Sequence, residues 1–273
     1  MFINIKCLAQ ACDELEIPYK FIDDNKNFLS LNIKGQSKYF INTITPFNSE
    51  IDSKICTDKD FTYQLLHKEI NMPESIGYID PFINKKNLQY VKFQSFDDIK
   101  NDILSKFSLP LIVKKNNGSF STNVFLCRNE HEILTAIETI FNQKSKDYDY
   151  LLLAQDFVNI VMEYRVITFE KKVLLVYEKS TFKMRNVRSN DTSYENMHAH
   201  RVNNDEFTLK LESFLSPLFD KFDLKFCGFD IAVDRDGNLS MIEMNSKPWF
   251  DKFVLYNGER PLIDMYKYIL QNA

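Results

Sequence analysis

The sequence predicts an α+β protein of closely joined lobes built around mainly antiparallel sheets. Three observations carry this expectation. Strand-like and helix-like segments mix without strict βαβ alternation. Three strand-like runs, YLLLAQDFV, EYRVITF and KVLLVYEKS, follow one another directly. A β-hairpin pattern, CGFDIAVDRDGNLSMIEMN, comes late in the chain. At 273 residues the chain is long enough for a large core and for two or more lobes.

The elements follow in order. KCLAQACDELE has helical apolar spacing, and KYFINTIT is strand-like. TDKDFTYQLLHKEI predicts a helix with Thr57 as N-cap and Asp58 and Asp60 in its first turn, which puts Lys59 in that turn too. LPLIVKKNNGSFSTNVFLCRN reads as two strands joined by a polar loop that contains Gly118. EHEILTAIETIF is an amphipathic helix. The three strand runs come next, rich in β-branched and aromatic residues. DEFTLKLESFLSPLFDKF is a further helix, and the hairpin follows it.

Composition narrows the function classes. The net charge is -4 with no Lys/Arg block, which argues against nucleic-acid and anionic-membrane partners. No apolar run approaches the roughly 20 residues that span a bilayer. The first residues lack the pattern of a secretory signal. The cysteines Cys7, Cys12, Cys56, Cys127 and Cys227 form an odd set without a C-x-x-C pair. Such thiols point to a reducing cytosol and away from a disulfide framework or structural zinc. A cytoplasmic location is therefore expected.

The hairpin is the most informative stretch. With Asp236 and Gly237 at the centre of a type I′ turn, Val233 faces Ser240 and Asp230 lands opposite Glu243. A bulged three-residue turn would move that pair to a diagonal. Asn245, two residues beyond Glu243, shares its face. Like charges opposite one another cost about 0.2–1 kcal/mol, and more when buried, unless a cation sits between them. Two carboxylates and an amide oxygen suit Mg²⁺, which keeps waters and takes phosphate oxygens. A solvated sheet face is the plainer alternative. Phosphate partners are available in Lys59 and in Lys114, which directly precedes the polar loop 116–123. Neither G-x-x-x-x-G-K nor G-x-G-x-x-G is present.

Four segments, TDKDFTYQLL, LPLIVKKNNGSFSTNV, LLLAQDFV with MEYRVITF, and GFDIAVDRDGNLSMIEMNSKPWF, together resemble the ATP-grasp superfamily. The likeness is strongest to the RimK-like glutamate ligase, glutathione synthetase and D-alanine–D-alanine ligase group. It covers residues 56–253, and its most specific part is the final G-x-D … E-x-N-x-x-P pattern. The RSN triplet at 188–190 resembles the RimK-like branch. The resemblance implies an ATP-grasp fold of two α+β lobes clamping ATP: a short N-terminal α/β segment over 1–56, a first lobe over 57–158 and a second over 159–273.

It also implies roles. Lys59 and Lys114 would hold ATP phosphates, with the loop of Gly118 and Ser119 as a mobile lid. Gln155, Asp156, Phe157 and Val158 match the hinge that reads adenine, and Glu163 matches the acidic residue on the ribose. Arg165, Arg188 and Asn190 match polar positions near the phosphates and the reacting carboxylate, with Arg188 expected to stabilise the anionic tetrahedral species. Asp230, Glu243 and Asn245 match the ligands of Mg²⁺, for which Mn²⁺ is an alternative.

The implied activity is an ATP-dependent carboxylate–amine ligase acting on an amino acid or peptide through an acyl phosphate, with a homodimer among the expected assemblies. A macrocyclase acting within a precursor peptide, a non-catalytic ATP-binding protein and a hydroxyl kinase remain as other readings. Departures from the pattern are Lys115, where proline is usual, and Trp249, where a small residue is usual. NMHAHRVNN, with His198, His200 and Arg201, is expected to be a loop touching the acceptor substrate; its histidine pair is a weak metal signal.

Overall fold

The computed structural model describes residues 1–118, 122–179 and 198–273. The chain opens with α1 (Ile3–Glu14) and an antiparallel meander, β1 (Tyr19–Phe21), β2 (Phe28–Ile33) and β3 (Gln36–Ile41). Two short helices follow, α2 (Glu50–Thr57) and α3 (Lys59–Leu66). Ser49 and Asp52 form a capping box at the start of α2. Thr57 is therefore the last residue of α2 rather than the expected N-cap, and its hydroxyl turns back to donate to Lys54 O at 3.0 Å. Asp58 caps α3 instead, accepting from Phe61 N at 3.1 Å. The helices abut so closely that one residue ends the first and starts the second.

The next unit comprises β4 (Ser75–Ile79), α4 (Phe96–Lys106), β5 (Leu111–Lys115), β6 (Val124–Cys127), α5 (Glu130–Ile140) and β7 (Leu151–Asp156). Its strands form an antiparallel sheet in the order β4-β7-β5-β6. The apolar stripes of α4 (Ile99, Ile103) and α5 (Ile133, Ile137, Ile140) pack on the inward residues Leu111, Val113, Leu152 and Ala154. The opposite face of β5 is left to present Ile112 and Lys114.

After β7 the chain crosses into a third sheet. β8 (Met162–Phe169), β9 (Lys172–Lys179), β10 (Ala199–Arg201), α6 (Asp205–Phe219), β11 (Phe226–Val233) and β12 (Leu239–Asn245) are followed by α7 (Asp251–Asn257) and α8 (Arg260–Asn272). Strand order is β10-β9-β8-β11-β12, again antiparallel. Alternation decides what each face carries. Val166, Val176, Phe229, Ile231 and Met241 point at Leu211, Leu215 and Leu218 of α6, and this core also takes in Cys56, Leu66 and Ile70. Ile167, Phe169, Leu175, Tyr177 and Phe226 point the other way, into a core shared with α1, β2 and α8. Glu163, Arg165, Lys179 and Asp230 lie on this second face, beyond the end of its apolar part.

The hairpin departs from the expected turn. Among its loop residues only Gly237 has positive φ, at 80°, so the two-residue type I′ turn does not form. Asp234 instead accepts from Asp236 N and Asn238 N, both at 2.9 Å, closing a longer loop that pairs Val233 with Leu239. That shift alone would seat Ile242 opposite Asp230. A bulge between the Asp230 and Ile231 pairs absorbs it: Ile231 faces Met241, Asp230 faces Glu243, and Ile242 is the extra residue. The bulge also changes the strand's phase, sending Met241 into the α6 core and Glu243 to the opposite face.

All five cysteines are free and buried. Among the described residues no helix is long and apolar enough to cross a membrane.

Candidate active site

A cleft of roughly 240 Å³ lies between the two larger sheets. Its apolar part is formed by Ile112 on β5, Val124 and Leu126 on β6, Phe157, Val158 and Ile160 after β7, and the bulged Ile242. Its polar end gathers Lys59, Lys114, Glu163, Lys179, Asp230 and Glu243. An apolar slot ending in three cations and three carboxylates can hold a ligand with an aromatic part and an anionic tail.

Lys114 is only 4% exposed because it stands mid-sheet on the cleft side of β5. Its Nζ donates to Gln155 Oε1 at 2.9 Å, and Gln155 Nε2 donates to Ser75 Oγ at 2.8 Å. Gln155 thus positions the lysine, a contact that its hinge position in the sequence did not reveal. Burial, then the neighbouring Lys59 charge, push Lys114 down to about 8, against a smaller opposing pull from Glu243. A ligand phosphate would favour the charged form. Nucleotide affinity is therefore expected to be flat below pH 8 and to fall as pH rises above it, with proton uptake on binding near pH 8. Titration calorimetry in buffers of different ionisation enthalpy reads that uptake. A signal independent of buffer at pH 8 would contradict the assignment.

Lys59 opens α3. Its Nζ donates to Asn116 O at 3.3 Å and Gly118 O at 3.1 Å, and lies 3.6 Å from Glu243 Oε1. It joins the base of the β5–β6 loop to the hairpin. Asn116 is fully buried, and its Oδ1 accepts from Asp60 N at 2.9 Å, fixing the same loop to the start of α3.

Asp230 is the most heavily engaged carboxylate. Its Oδ1 accepts from Arg165 Nε; its Oδ2 accepts from Arg165 Nη2 at 3.1 Å and Lys179 Nζ at 2.7 Å. Burial raises its pKa, but the Arg165 and Lys179 charges outweigh that and hold it near 2. Lys179 also pairs with Glu163 Oε1, so two cations and two carboxylates form one chain. Gly228 makes room for it: a Cβ there would lie 3.2 Å from Arg165 Cδ and 3.3 Å from Pro248 Cβ. Asn245 sits across from Gly228, and its Oδ1 accepts from Lys247 N at 2.9 Å.

The structure thus brings Lys59, Lys114, Gln155, Asp156, Phe157, Val158, Glu163, Asp230 and Glu243 to one cleft. Arg165 lies beside it through its bond to Asp230. Asp156 is exposed at the end of β7, its N–H donated to Glu74 O at 2.9 Å. Ser119, Arg188 and Asn190 lie outside the described residues. Lys179 is the residue that sequence reasoning missed. Its signal is the direct cross-strand pair with Glu163, hidden by the register shift at Ile167/Thr168 between β8 and β9.

NMHAHRVNN is not simply a loop: Ala199–Arg201 is the edge strand β10. Asn257 covers that edge, donating to Ala199 O at 2.6 Å and accepting from Arg201 N at 3.0 Å. His198 and His200 stack at 5.7 Å and both meet the ring of Tyr256. Trp249 packs on Phe2 at 5.3 Å, so the N-terminal segment supports the residue after Pro248.

The donor set suits a hard divalent cation: carboxylates from Asp230 and Glu243 paired across the hairpin and the amide oxygen of Asn245. Among the described residues no three His, Cys, Asp or Glu side chains converge as a ready cage. A cation here would rely on the amide, water and phosphate oxygens beside the two carboxylates, as Mg²⁺ does.

Known proteins resemble the chain in sequence and in fold. The D-alanine–D-alanine ligase A of Bacillus cereus is 27% identical over 97 residues, 35% of this chain and 27% of that protein. A bifunctional glutathione synthetase from Pasteurella multocida matches in structure over 100% of this chain and 44% of its own, with TM-score 0.60 and 14% identity. The ATP-grasp ligase PsnB matches over 83% of this chain and 63% of its own, with TM-score 0.52 and 18% identity. At these identities the structural matches speak to the fold, and the chain spans about a quarter of the D-alanine–D-alanine ligase and less than half of the synthetase. The profile of the RimK-like ATP-grasp domain matches residues 57–269. The chain therefore belongs to the RimK-like ATP-grasp family.

Proposed function

We propose that the protein is an ATP-dependent carboxylate–amine ligase acting on an amino acid or peptide. The observation that supports it best is the convergence of Lys59 and Lys114 from one side of the cleft with Asp230 and Glu243 from the other. The γ-phosphoryl group passes to a substrate carboxylate oxygen and ADP leaves. An amine nitrogen then attacks the acyl carbon and inorganic phosphate departs. Such chemistry asks for positioning and charge neutralisation rather than a protein nucleophile. Lys59 and Lys114 hold the phosphates, Asp156 and the backbone after β7 meet adenine, and Glu163 meets the ribose. Asp230, Glu243 and Asn245 would hold a divalent cation, which would supply charge neutralisation at the phosphates. Arg165 orients Asp230, and Arg188 and Asn190 serve the reacting carboxylate. On this reading the working segments are 1–56, 57–158 and 159–273, with the residues after β7 as the hinge.

The test is ADP release with a panel of carboxylates and amines, run with hydroxylamine as a trap. Substrate-dependent ADP release with a hydroxamate product supports an acyl phosphate. A phosphorylated hydroxyl product, or ADP release that no carboxylate alters, would count against the ligase reading.

A further inference from the structure

Resting on the reading of Asp230 as a metal ligand, we propose that Lys179 is a built-in counter-cation that competes with the divalent metal for Asp230, so that metal and nucleotide enter together. The two oxygens of Asp230 receive three donors, from Arg165 Nε, Arg165 Nη2 and Lys179 Nζ. A carboxylate oxygen offers about two lone-pair sites, so Oδ2 is saturated. A cation that takes Oδ2 must displace one of its two donors, and one that takes the site left on Oδ1 beside Arg165 Nε must still approach both fixed positive charges.

Lys179 is the group that yields. Arg165 grips Asp230 with a planar two-point fork, and its stem lies against Gly228 where no Cβ would fit comfortably. Lys179 is the last residue of β9 and holds Asp230 through a single ammonium on a flexible stem. It is also tied to Glu163, so it bridges the carboxylate assigned to ribose and the one assigned to metal. Without phosphates, moving the ammonium off Asp230 gives up a 2.7 Å contact between two buried charges and leaves Lys179 only Glu163 as its counter-ion. Nucleotide phosphates in the same cleft offer it a new anion, so its release and metal entry become favourable together. Coupling of this kind is reciprocal: nucleotide tightens metal binding by the factor by which metal tightens nucleotide binding.

The test is Mn²⁺ titration followed by electron paramagnetic resonance, with and without a non-hydrolysable ATP analogue. Wild type should bind Mn²⁺ weakly alone and strongly with the analogue. Lys179→Met should bind Mn²⁺ alone about tenfold more tightly than wild type, the effect of removing one like charge at contact distance. Lys179→Arg, which keeps the charge, should resemble wild type. A purely structural role would make the methionine variant bind metal less well. Should Lys179→Met leave Glu163 unpaired and fold poorly, the double variant K179M/E163Q removes the pair together and should show the same gain. Equal or weaker Mn²⁺ affinity in the folded variants, with normal uptake once the analogue is added, would overturn the competition and leave the ligase reading standing. Failure of every form, wild type included, to take up Mn²⁺ with the analogue would overturn both.

Discussion

Glu243→Gln is expected to lower divalent-metal-dependent ADP release by at least about 100-fold, the scale on which a single transition-state electrostatic contact acts. The fold should survive. Glu243 is half-buried, it pairs with Lys59 at 3.6 Å, and an amide is isosteric with the carboxylate it replaces. What the amide lacks is the negative charge that answers the cation and Lys59. The variant should therefore keep its melting temperature and lose metal-dependent nucleotide uptake. Full turnover at ordinary Mg²⁺ concentrations would remove Glu243 from the metal site.

Arg165→Met has the largest expected effect on stability. Arg165 and Asp230 are both largely buried, with side-chain exposures of 15% and 7%. Removing one partner of such a pair strands the other in low dielectric and typically costs about 3–5 kcal/mol. Lys179 keeps one bond to Asp230 at 2.7 Å, so the expected loss sits at the low end, about 3 kcal/mol. Adding Asp230→Asn should recover part of it, which a double-mutant cycle in urea measures. A single variant within about 0.5 kcal/mol of wild type, the range of ordinary surface substitutions, would show that the pair is not a structural fixture.

Much of the architecture was legible in the sequence because it follows from period and capping. The α5 stripe and the β-branched runs of β7, β8 and β9 are legible because their apolar spacing is also their packing. The helix of Lys59 was placed correctly too, although its cap is Asp58. The Asp230–Glu243 pair was found through two offsetting departures. The loop after Val233 is not the turn that Asp-Gly suggests, and the bulge at Ile242 restores the register that the simple turn would have produced. The bulge's mark in the sequence is slight, the two successive apolar residues Met241 and Ile242 that interrupt the strand's alternation.

Lys179 stayed hidden for a related reason. Its register with the preceding strand β8 is shifted by the irregularity at Ile167/Thr168, and Asp230 on β11 comes from a distant segment that only tertiary packing brings near. Gln155 sits at the expected place, yet its side chain faces inward to Lys114, which only the sheet pairing of β5 with β7 makes visible. The histidines at 198 and 200 read as a loop because short edge strands carry too few residues to show a period.

The central claim is that one cleft holds adenosine triphosphate with a divalent cation between the lysines and the hairpin carboxylates. Isothermal titration of the folded protein with the nucleotide, with Mg²⁺ and then with a chelator, tests it most directly. The account predicts saturable uptake at one site per chain that depends on Mg²⁺ and is lost in Glu243→Gln. Binding of equal strength with the metal chelated, or none under either condition, would contradict it.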